Sequence, residues 1–280
     1  MEYITLNNGV SMPKLGLGVF QMSDAEVTET VPAALDAGYR LIDTASRYYN
    51  EKALGAVLAD SGVPREDLFI TTKLWFKDHG YEQTKQAFQV SLDNLGMDYL
   101  DLYLIHQPFG DYYGAWRTME KLLDEGLIRA IGVSNFYPDR YADLITHNRV
   151  VPAVNQRETH PFNQQTDMQA LQDQHGTALQ AWAPLAQGNP DVLTHPVLER
   201  IADAHGKTVP QVILRWLTQR DIALVVKSTR AERLRQNIDV FDFRLSDAEM
   251  AAIADLDRGQ PGVGFTHQDP RMLELLRTLE

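Results

Sequence analysis

Short runs of apolar residues alternate along the chain with longer segments whose apolar residues recur at helical spacing. This alternation is typical of repeated strand–helix units, because a strand covered on both faces is a short continuous apolar run. Eight strands are predicted, at Leu15–Phe20, Arg40–Asp43, Leu68–Thr72, Leu100–Ile105, Ala130–Val133, Ala153–Asn155, Leu179–Ala181 and Ile222–Val226. Helices are predicted near 25–37, 51–60, 81–95, 112–125, 138–147, 165–175, 196–219 (with an interruption) and 230–237.

Eight strand–helix units in 280 residues predict an α/β protein of the (β/α)8 TIM-barrel class, folded as a single domain over residues 1–280. The segment Tyr3–Met12 carries an Asn-Gly turn and is predicted to form a hairpin that plugs the barrel floor. The tail after Ser246 is predicted to lie over the barrel mouth. The alternative is a doubly wound dinucleotide fold, but Gly16-Leu17-Gly18 lacks the third glycine of that fingerprint.

Polar residues that can perform acid–base chemistry stand at the ends of three consecutive predicted strands. Asp43 ends the second strand, with Tyr48 five residues further on, and Lys73 and His106 follow the third and fourth strands. Because the carboxyl ends of barrel strands meet at one face, these four side chains are expected to converge. Together they suggest an enzyme that moves protons around a carbonyl group.

Carbonyl reduction places negative charge on the oxygen, so a nearby group must supply a proton. The phenol of Tyr48, with an ordinary pKa near ~10, is a weak acid, and a neighbouring Lys73 ammonium is expected to lower that pKa. Asp43 would hold the ammonium in place and keep it charged. A neutral His106 would orient the carbonyl by a hydrogen bond.

Each of these residues, taken singly, also fits a structural role. The roles, in chain order, are a helix or loop cap for Asp43, a half-buried aromatic ring for Tyr48, a surface lysine for Lys73, and a hydrogen-bonded structural histidine for His106. Two other functions stay open at this point. One is a barrel aldolase or isomerase in which Lys73 forms a Schiff base with the substrate. The other is a non-catalytic, cofactor-sensing or scaffolding barrel.

Composition and charge exclude several classes of protein. The chain has no cysteine, so disulfides, cysteine–zinc sites and a thiol nucleophile are excluded. A net charge of −12 argues against a nucleic-acid partner. No apolar run approaches the ~20 residues of a membrane helix, and the first residues lack a signal-peptide pattern, so a cytoplasmic location is expected. The histidine spacings show no metalloprotease-type pair, and no metal site is expected.

The motifs around these residues resemble those of the aldo-keto reductase family, from about residue 4 to about 258. The bacterial branch that includes 2,5-diketo-D-gluconate reductases is the most similar. The motifs are Leu41-Ile42-Asp43-Thr44-Ala45 with Tyr48 and Asn50-Glu51, Thr72-Lys73-Leu74-Trp75, Leu104-Ile105-His106, Gly132-Val133-Ser134-Asn135-Phe136, Asn155-Gln156 with Glu158 and His160-Pro161, Ala181-Trp182-Ala183-Pro184-Leu185-Ala186-Gln187-Gly188, and Lys227-Ser228 with Arg233 and Asn237.

The resemblance implies a metal-free, NADPH-dependent reductase of small aldehydes, ketones or α-dicarbonyls, acting as a monomer. By motif position, Tyr48 would be the proton donor, Asp43 and Lys73 its tuning pair, and His106 the orienting residue. A Lys-Ser-Thr-Arg set after the last strand would hold the 2′-phosphate. The cofactor residues so implied are Gly18, Val19, Asp43, Ser134, Asn135, Gln156, Trp182, Pro184, Leu185, Gln187, Lys227, Ser228, Thr229, Arg233, Gln236 and Asn237.

The chain departs from the family pattern on the substrate side. Tyr49 stands where relatives often have Gly, Gln107 replaces a usual Trp, and Phe20 takes another position that is often Trp. Gln236 stands where a Glu near the adenine is common. The physiological substrate therefore cannot be carried over. The predicted pocket residues are Phe20, Tyr49, Trp75, His106, Gln107, Phe109 and Phe265.

Overall fold

A computed structural model of the protein describes residues 1–262 and 266–278. Its strands are β1 Tyr3–Thr5, β2 Ser11–Pro13, β3 Leu15–Gly18, β4 Leu41–Asp43, β5 Phe69–Leu74, β6 Leu100–Ile105, β7 Ile128–Ser134, β8 Val154–Glu158, β9 Ala178–Trp182 and β10 Ala223–Val226. The strands β3 to β10 are parallel and close into a barrel in which β10 pairs with β3. The predicted TIM-barrel class is confirmed.

Helices cover the outside of the barrel, and most follow a strand in the expected alternation. They are α1 Asp24–Asp36, α2 Glu51–Asp60, α3 Tyr81–Leu95, α4 Tyr112–Asp124, α5 Pro138–His147, α6 Thr166–Asp173, α7 Pro190–Leu193, α8 Pro196–His205, α9 Val209–Gln219, α10 Ala231–Ile238, α11 Asp247–Ala254 and α12 Pro270–Thr278. No helix in the described part of the chain is long and apolar enough to cross a membrane.

The predicted interruption within 196–219 lies between α8 and α9. Gly206 ends α8 with a left-handed backbone (φ 61°), which glycine adopts without a steric penalty. Thr208 then starts α9 with a capping box, because its hydroxyl accepts from the N–H of Gln211 and the Gln211 side chain bonds back to the N–H of Thr208. One apolar pattern thus becomes two helices joined by a sharp turn.

The barrel interior is filled from below by the N-terminal hairpin. The strands β1 and β2 pair antiparallel, with Ile4 opposite Met12. Leu6 and Met12 are buried in one apolar cluster with Leu41 and Leu102 of the barrel strands. The hairpin therefore closes the barrel floor, as the sequence predicts.

The C-terminal segment packs on the opposite end. Met272 and Leu276 of α12 form a small apolar cluster with Trp75, which directly follows β5. The backbone N–H of Gly262 donates to Oε1 of Glu158 at 2.7 Å. These contacts place the described part of the tail at the barrel mouth, as predicted.

Candidate active site

The four residues predicted to converge do lie together at the carboxyl ends of the strands. Asp43 ends β4, Lys73 is the penultimate residue of β5, and His106 directly follows β6. Tyr48 ends a 3-10 turn just beyond β4. Lys73 Nζ donates to Asp43 Oδ1 at 2.5 Å and to the Tyr48 hydroxyl at 3.4 Å, and the rings of Tyr48 and His106 are 5.7 Å apart.

The turn that carries Tyr48 is held by hydrogen bonds to its neighbours. The Asn50 amide donates to the carbonyls of Val19 and Met22 and accepts from the hydroxyl of Thr44. Ser46 Oγ donates to the backbone carbonyl of Lys73 at 3.0 Å. Because these bonds join the turn to β3, β4 and β5, the phenol is fixed relative to the ammonium.

Lys73 and Asp43 form a buried ion pair, with side chains 1% and 4% exposed. Burial alone lowers the pKa of a lysine, but the Asp43 carboxylate and the Tyr48 phenol together raise the pKa of Lys73 above its ordinary value. Nζ also donates to the carbonyl of Thr44 at 2.9 Å. Lys73 is therefore an ammonium at neutral pH, with its three hydrogens all directed to acceptors.

The pKa of Tyr48 is raised above its ordinary value, and here the sequence expectation is wrong in sign. Burial is the largest cause and raises the pKa, Lys73 lowers it, and the charge of Asp43 raises it again. The ammonium does act as expected, but loss of solvation around the phenol outweighs it. Tyr48 is thus protonated at neutral pH, the form a proton donor requires.

His106 is a neutral imidazole. Burial is the main cause that holds its pKa well below the ordinary value, and the nearby cation of Lys73 lowers it further. A neutral ring has one nitrogen that donates and one that accepts. It can therefore hydrogen-bond to a carbonyl oxygen without delivering a formal charge, as the sequence predicts.

A second set of polar residues lies beside the four and is linked to them. Gln156 in β8 donates from Nε2 to Asp43 Oδ2 and to Gln180 Oε1, both at 2.8 Å. Ser134, at the end of β7, donates from its hydroxyl to the carbonyl of Gln156. These side chains are nearly fully buried. The buried carboxylate of Asp43 thus contacts both the predicted catalytic group and the predicted cofactor group.

Trp182 and Asn135 form the next contact outward. The indole N–H of Trp182 donates to Asn135 Oδ1 at 3.0 Å, and the Asn135 amide donates to Ser134 Oγ and to the His106 carbonyl. Trp182 is half-buried, so part of its ring faces the mouth. A flat ring and fixed amides at this position suit a planar ligand that carries an amide.

The cationic group predicted for a phosphate lies around the start of α10. Helix α10 begins after Arg230 without a side-chain cap, so its first backbone N–H groups stay available. Lys227, Arg230 and Arg233 are all exposed there. In a protein of net charge −12, this concentration of donors fits a bound phosphate group. Arg230 was not among the residues predicted from the sequence.

This corner adjoins the rest of the site through the barrel closure. The pairing of β10 with β3 places Val226 beside Leu17, and Lys227 Nζ donates to the carbonyl of Gln21 at 3.0 Å. Gly18 and Val19 are buried on β3 and just after it. Of the other predicted cofactor residues, Pro184, Leu185 and Gln187 lie on the loop after β9. Ser228 and Thr229 lie on the loop before α10, and Gln236 and Asn237 lie in the last turn of that helix.

Aromatic residues form the walls of the mouth. The ring of Phe20 is 4.9 Å from that of Tyr48, and the ring of Trp75 is 5.2 Å from that of His106. Gln107 is 5% exposed, and its side-chain amide oxygen is buried without a hydrogen-bond partner among the described residues. Phe109 packs near the Trp75 cluster. The sixth predicted aromatic wall residue, Phe265, lies outside the described residues.

Tyr49 has an unusual backbone for a residue with a side chain. Its φ of 58° and ψ of 18° lie in the left-handed region, which costs an L-residue roughly 1–2 kcal/mol. This geometry explains why glycine suits the position. The Tyr49 side chain is 72% exposed, and the Arg47 guanidinium carbon lies 4.7 Å from its ring centre.

Besides Arg230, two further site residues were missed by the sequence reasoning. Gln180 supports Gln156, and its signal was a polar residue inside the apolar strand Leu179–Ala181. Arg47 lies against Tyr49 and Trp75 at the mouth, and no sequence pattern indicates where an arginine in a turn will direct its side chain. Within the described ranges, no three His, Asp or Glu side chains lie close enough together to hold a metal ion.

Comparison with known proteins assigns this barrel to a family. Residues 14–258 match the family described as "Aldo/keto reductase family". The chain belongs to the aldo/keto reductase family. The predicted enzyme class, an oxidoreductase of a family that uses NADP(H), is thereby confirmed.

Relatives cover nearly the whole chain. Morphine 6-dehydrogenase of Pseudomonas putida is 47% identical over 270 residues, covering 91% of each protein. Glyoxal reductase of Bacillus subtilis is 47% identical over 261 residues, covering 92% of this chain and 94% of the relative. The similarity to the 2,5-diketo-D-gluconate reductase branch remains a prediction.

Solved structures match at the level of the fold. A Bombyx mori aldo-keto reductase in complex with NADP superposes with a TM-score of 0.89 at 35% identity, covering 98% of this chain and 96% of the other. MGS-M4, an aldo-keto reductase from a Medee basin deep-sea metagenome library, has a TM-score of 0.90 at 42% identity, covering 92% and 96%.

Proposed function

We propose that the protein reduces small aldehydes, ketones or α-dicarbonyls to alcohols with NADPH, and that Tyr48 is the proton donor. The observation that carries the proposal is the buried contact of Lys73 with both Asp43 and the Tyr48 hydroxyl. The similarity to a glyoxal reductase and to a morphine 6-dehydrogenase supports carbonyl–alcohol chemistry.

The side chains divide the work at the carbonyl oxygen. Tyr48 is protonated at neutral pH and can donate its hydrogen as charge develops on that oxygen. Lys73 stabilises the phenolate that remains, since its ammonium stays charged beside Asp43. His106, a neutral imidazole, can donate a hydrogen bond that fixes the direction of the carbonyl.

The residues present fit the dinucleotide that the family uses. When bound, NADPH supplies the hydride that reduces the carbonyl carbon. Ser134, Asn135 and Gln156 would hold its carboxamide, and Trp182 would stack on the ring. Lys227 and the start of α10, with Ser228, Thr229 and Arg233, would hold the 2′-phosphate.

The alternative of a Schiff-base aldolase or isomerase finds less support. A nucleophilic lysine must be a neutral amine, whereas Asp43 and Tyr48 raise the pKa of Lys73. Its ammonium is also surrounded by three oxygen acceptors. Borohydride trapping of a substrate on Lys73 would favour the alternative, and its absence would favour the reductase.

The test follows NADPH absorbance with a panel of aldehydes, keto acids and diketones. We expect turnover by the wild type and a loss of about 10²–10⁴-fold in kcat for Tyr48→Phe, because a positioned general acid contributes about that much. NADPH binding, measured by fluorescence titration, should stay nearly intact in this variant. Tyr103→Phe is the matched control, because the Tyr103 hydroxyl is buried in β6 without a hydrogen-bond partner in the described part of the chain. Full turnover in Tyr48→Phe would reject Tyr48 as the donor.

We also propose a cytoplasmic monomer that acts on small molecules, with no nucleic-acid partner and no metal. The acidic net charge of −12 supports the absence of a nucleic-acid partner. Light scattering after size exclusion tests the monomer, and elemental analysis tests the absence of a stoichiometric metal.

A further inference from the structure

An arginine at the outer wall of the carbonyl site has no counter-ion in the described part of the chain. Arg47 precedes Tyr48 on the 3-10 turn, and its guanidinium carbon lies 5.8 Å from the ring centre of Trp75. Among residues 1–262 and 266–278, Arg47 makes no ion pair and no side-chain hydrogen bond. It is half-buried, so its five N–H donors are partly removed from water and remain available to a ligand.

The neighbouring Tyr49 supplies a platform for this cation. The guanidinium lies over the Tyr49 ring at 4.7 Å, within the range of a cation–π contact. Tyr49 keeps a left-handed backbone that glycine would adopt without strain. Strained residues cluster at functional sites, where surrounding contacts hold them in place. Here the strain places an aromatic ring beneath a free guanidinium at the mouth.

Trp75 contacts both this cation and the carbonyl site. Its ring centre is 5.2 Å from that of His106 and 5.8 Å from the guanidinium carbon of Arg47. The indole N–H is buried and has no acceptor in the described part of the chain. A guanidinium and a free indole N–H are both donors, so the ligand they suit carries acceptor oxygens, above all a carboxylate.

We infer that Arg47 binds a carboxylate on the substrate, at the mouth and apart from the carbonyl that is reduced. The inference rests on the proposed carbonyl reduction and narrows its substrate class. The enzyme would prefer aldehydes or ketones that carry a distant carboxylate. An α-keto acid would fit less well, because its carboxylate is bonded directly to the carbonyl carbon and stays beside Tyr48 and His106. The rings of Phe20 and Trp75 suit an apolar or aromatic spacer.

The experiment compares two aldehydes of nearly equal shape, 4-formylbenzoate and 4-formylbenzamide. The measured quantity is the ratio of their kcat/KM values with saturating NADPH. We expect the wild type to favour the acid and Arg47→Gln to lower the ratio by about tenfold or more, since a hydrogen bond to a charged group is lost. The change should lie mainly in KM for the acid, because a distant contact is made in the ground state as well.

Matched variants separate binding from general charge. Arg117→Gln removes one cation from the exposed side of α4 and should keep the wild-type ratio. Arg47→Lys should recover part of the ratio, because an ammonium keeps the charge and loses the fork of donors. Tyr49→Gly should lower the ratio less than Arg47→Gln does, since the cation stays and loses its platform.

The outcomes distinguish the two levels of the proposal. If neither these two aldehydes nor any other carbonyl of the panel leads to oxidation of NADPH, the reductase function itself is refuted. If both are reduced and the ratio is the same in wild type and Arg47→Gln, only the carboxylate site is wrong. If Arg117→Gln lowers the ratio of kcat/KM values as much as Arg47→Gln does, long-range electrostatic attraction explains the preference for the acid. That result would also overturn the inference.

Discussion

Replacing Asp43 by asparagine tests how the buried ion pair supports catalysis. Asp43→Asn keeps the shape of the side chain and removes the charge opposite Lys73. Losing one partner of a buried ion pair costs about 3–5 kcal/mol. The amide oxygen can still accept from Nζ, but the amide NH2 then faces the Nε2 donor of Gln156. The free energy of unfolding, from urea titration followed by circular dichroism, should therefore fall by about 3–5 kcal/mol.

The effect on turnover follows from the pKa of Lys73. Asp43 is the main cause that raises this pKa against burial, so its loss lets the pKa fall. A neutral amine cannot stabilise the phenolate of Tyr48, and a lost charge-assisted hydrogen bond corresponds to about a tenfold to hundredfold lower kcat. Because the proposed mechanism requires the ammonium form of Lys73, kcat falls when this residue loses its proton. In Asp43→Asn, the fall in kcat with rising pH should therefore begin at a lower pH than in the wild type.

Asp101 offers the matched control. It is also fully buried and pairs with two arginines, Arg65 at 2.7 Å and Arg129 at 2.6 Å, and none of these is among the four proposed catalytic residues. Asp101→Asn should lose stability of a similar size and keep the wild-type pH profile of kcat. Wild-type turnover and pH profile in Asp43→Asn, or an equal loss of kcat in Asp101→Asn, would refute the reasoning.

Two further predictions concern the cofactor and stability in acid. Lys227→Ala or Arg233→Ala should weaken NADPH binding much more than NADH binding in fluorescence titrations, and equal losses would reject the 2′-phosphate assignment. Burial lowers the pKa of His79 to about 4. Because the unfolded chain binds that proton below about pH 6.5, stability is full above this pH and falls between about 6.5 and 4, by up to about 3 kcal/mol for this residue. His79→Asn should reduce this acid loss in urea titrations across that range, and an unchanged slope would show that other groups cause it.

The barrel and the convergence of Asp43, Tyr48, Lys73 and His106 could be predicted because both follow from repeating patterns. Apolar runs give the strands, and the carboxyl ends of parallel strands meet at one face whatever the details of packing. Asp43, Lys73 and His106 needed nothing beyond their positions at strand ends. Their distances then follow from the strand register, in which Lys73 lies beside Leu104.

The strand ends were less predictable where polar residues continue the ladder. The strand predicted at Leu68–Thr72 runs to Leu74 as β5, and that predicted at Ala153–Asn155 runs to Glu158 as β8. Lys73 and Gln156 look like loop residues by polarity. They are strand residues because backbone pairing with β6 and β9 continues past them and delivers their side chains to the site.

The sign of the pKa shift at Tyr48 and the position of Arg47 were beyond the sequence for a different reason. A pKa is a balance of burial against several charges, and the balance depends on distances that no pattern encodes. Likewise, nothing in the run Ser46-Arg47-Tyr48-Tyr49 shows that Tyr49 is left-handed and lies against a guanidinium.

The hairpin beneath the barrel has a consequence for the entry and release of ligands. Leu6 and Met12 are buried against the barrel strands and close its lower end, so ligands enter from the mouth. Under the proposed function, the cofactor and the carbonyl substrate both enter at the barrel mouth, so we expect the molecule that is seated deeper to bind first and to leave last. The order of ligand binding and release would then follow from the closed end of the barrel and would be the same for every carbonyl substrate.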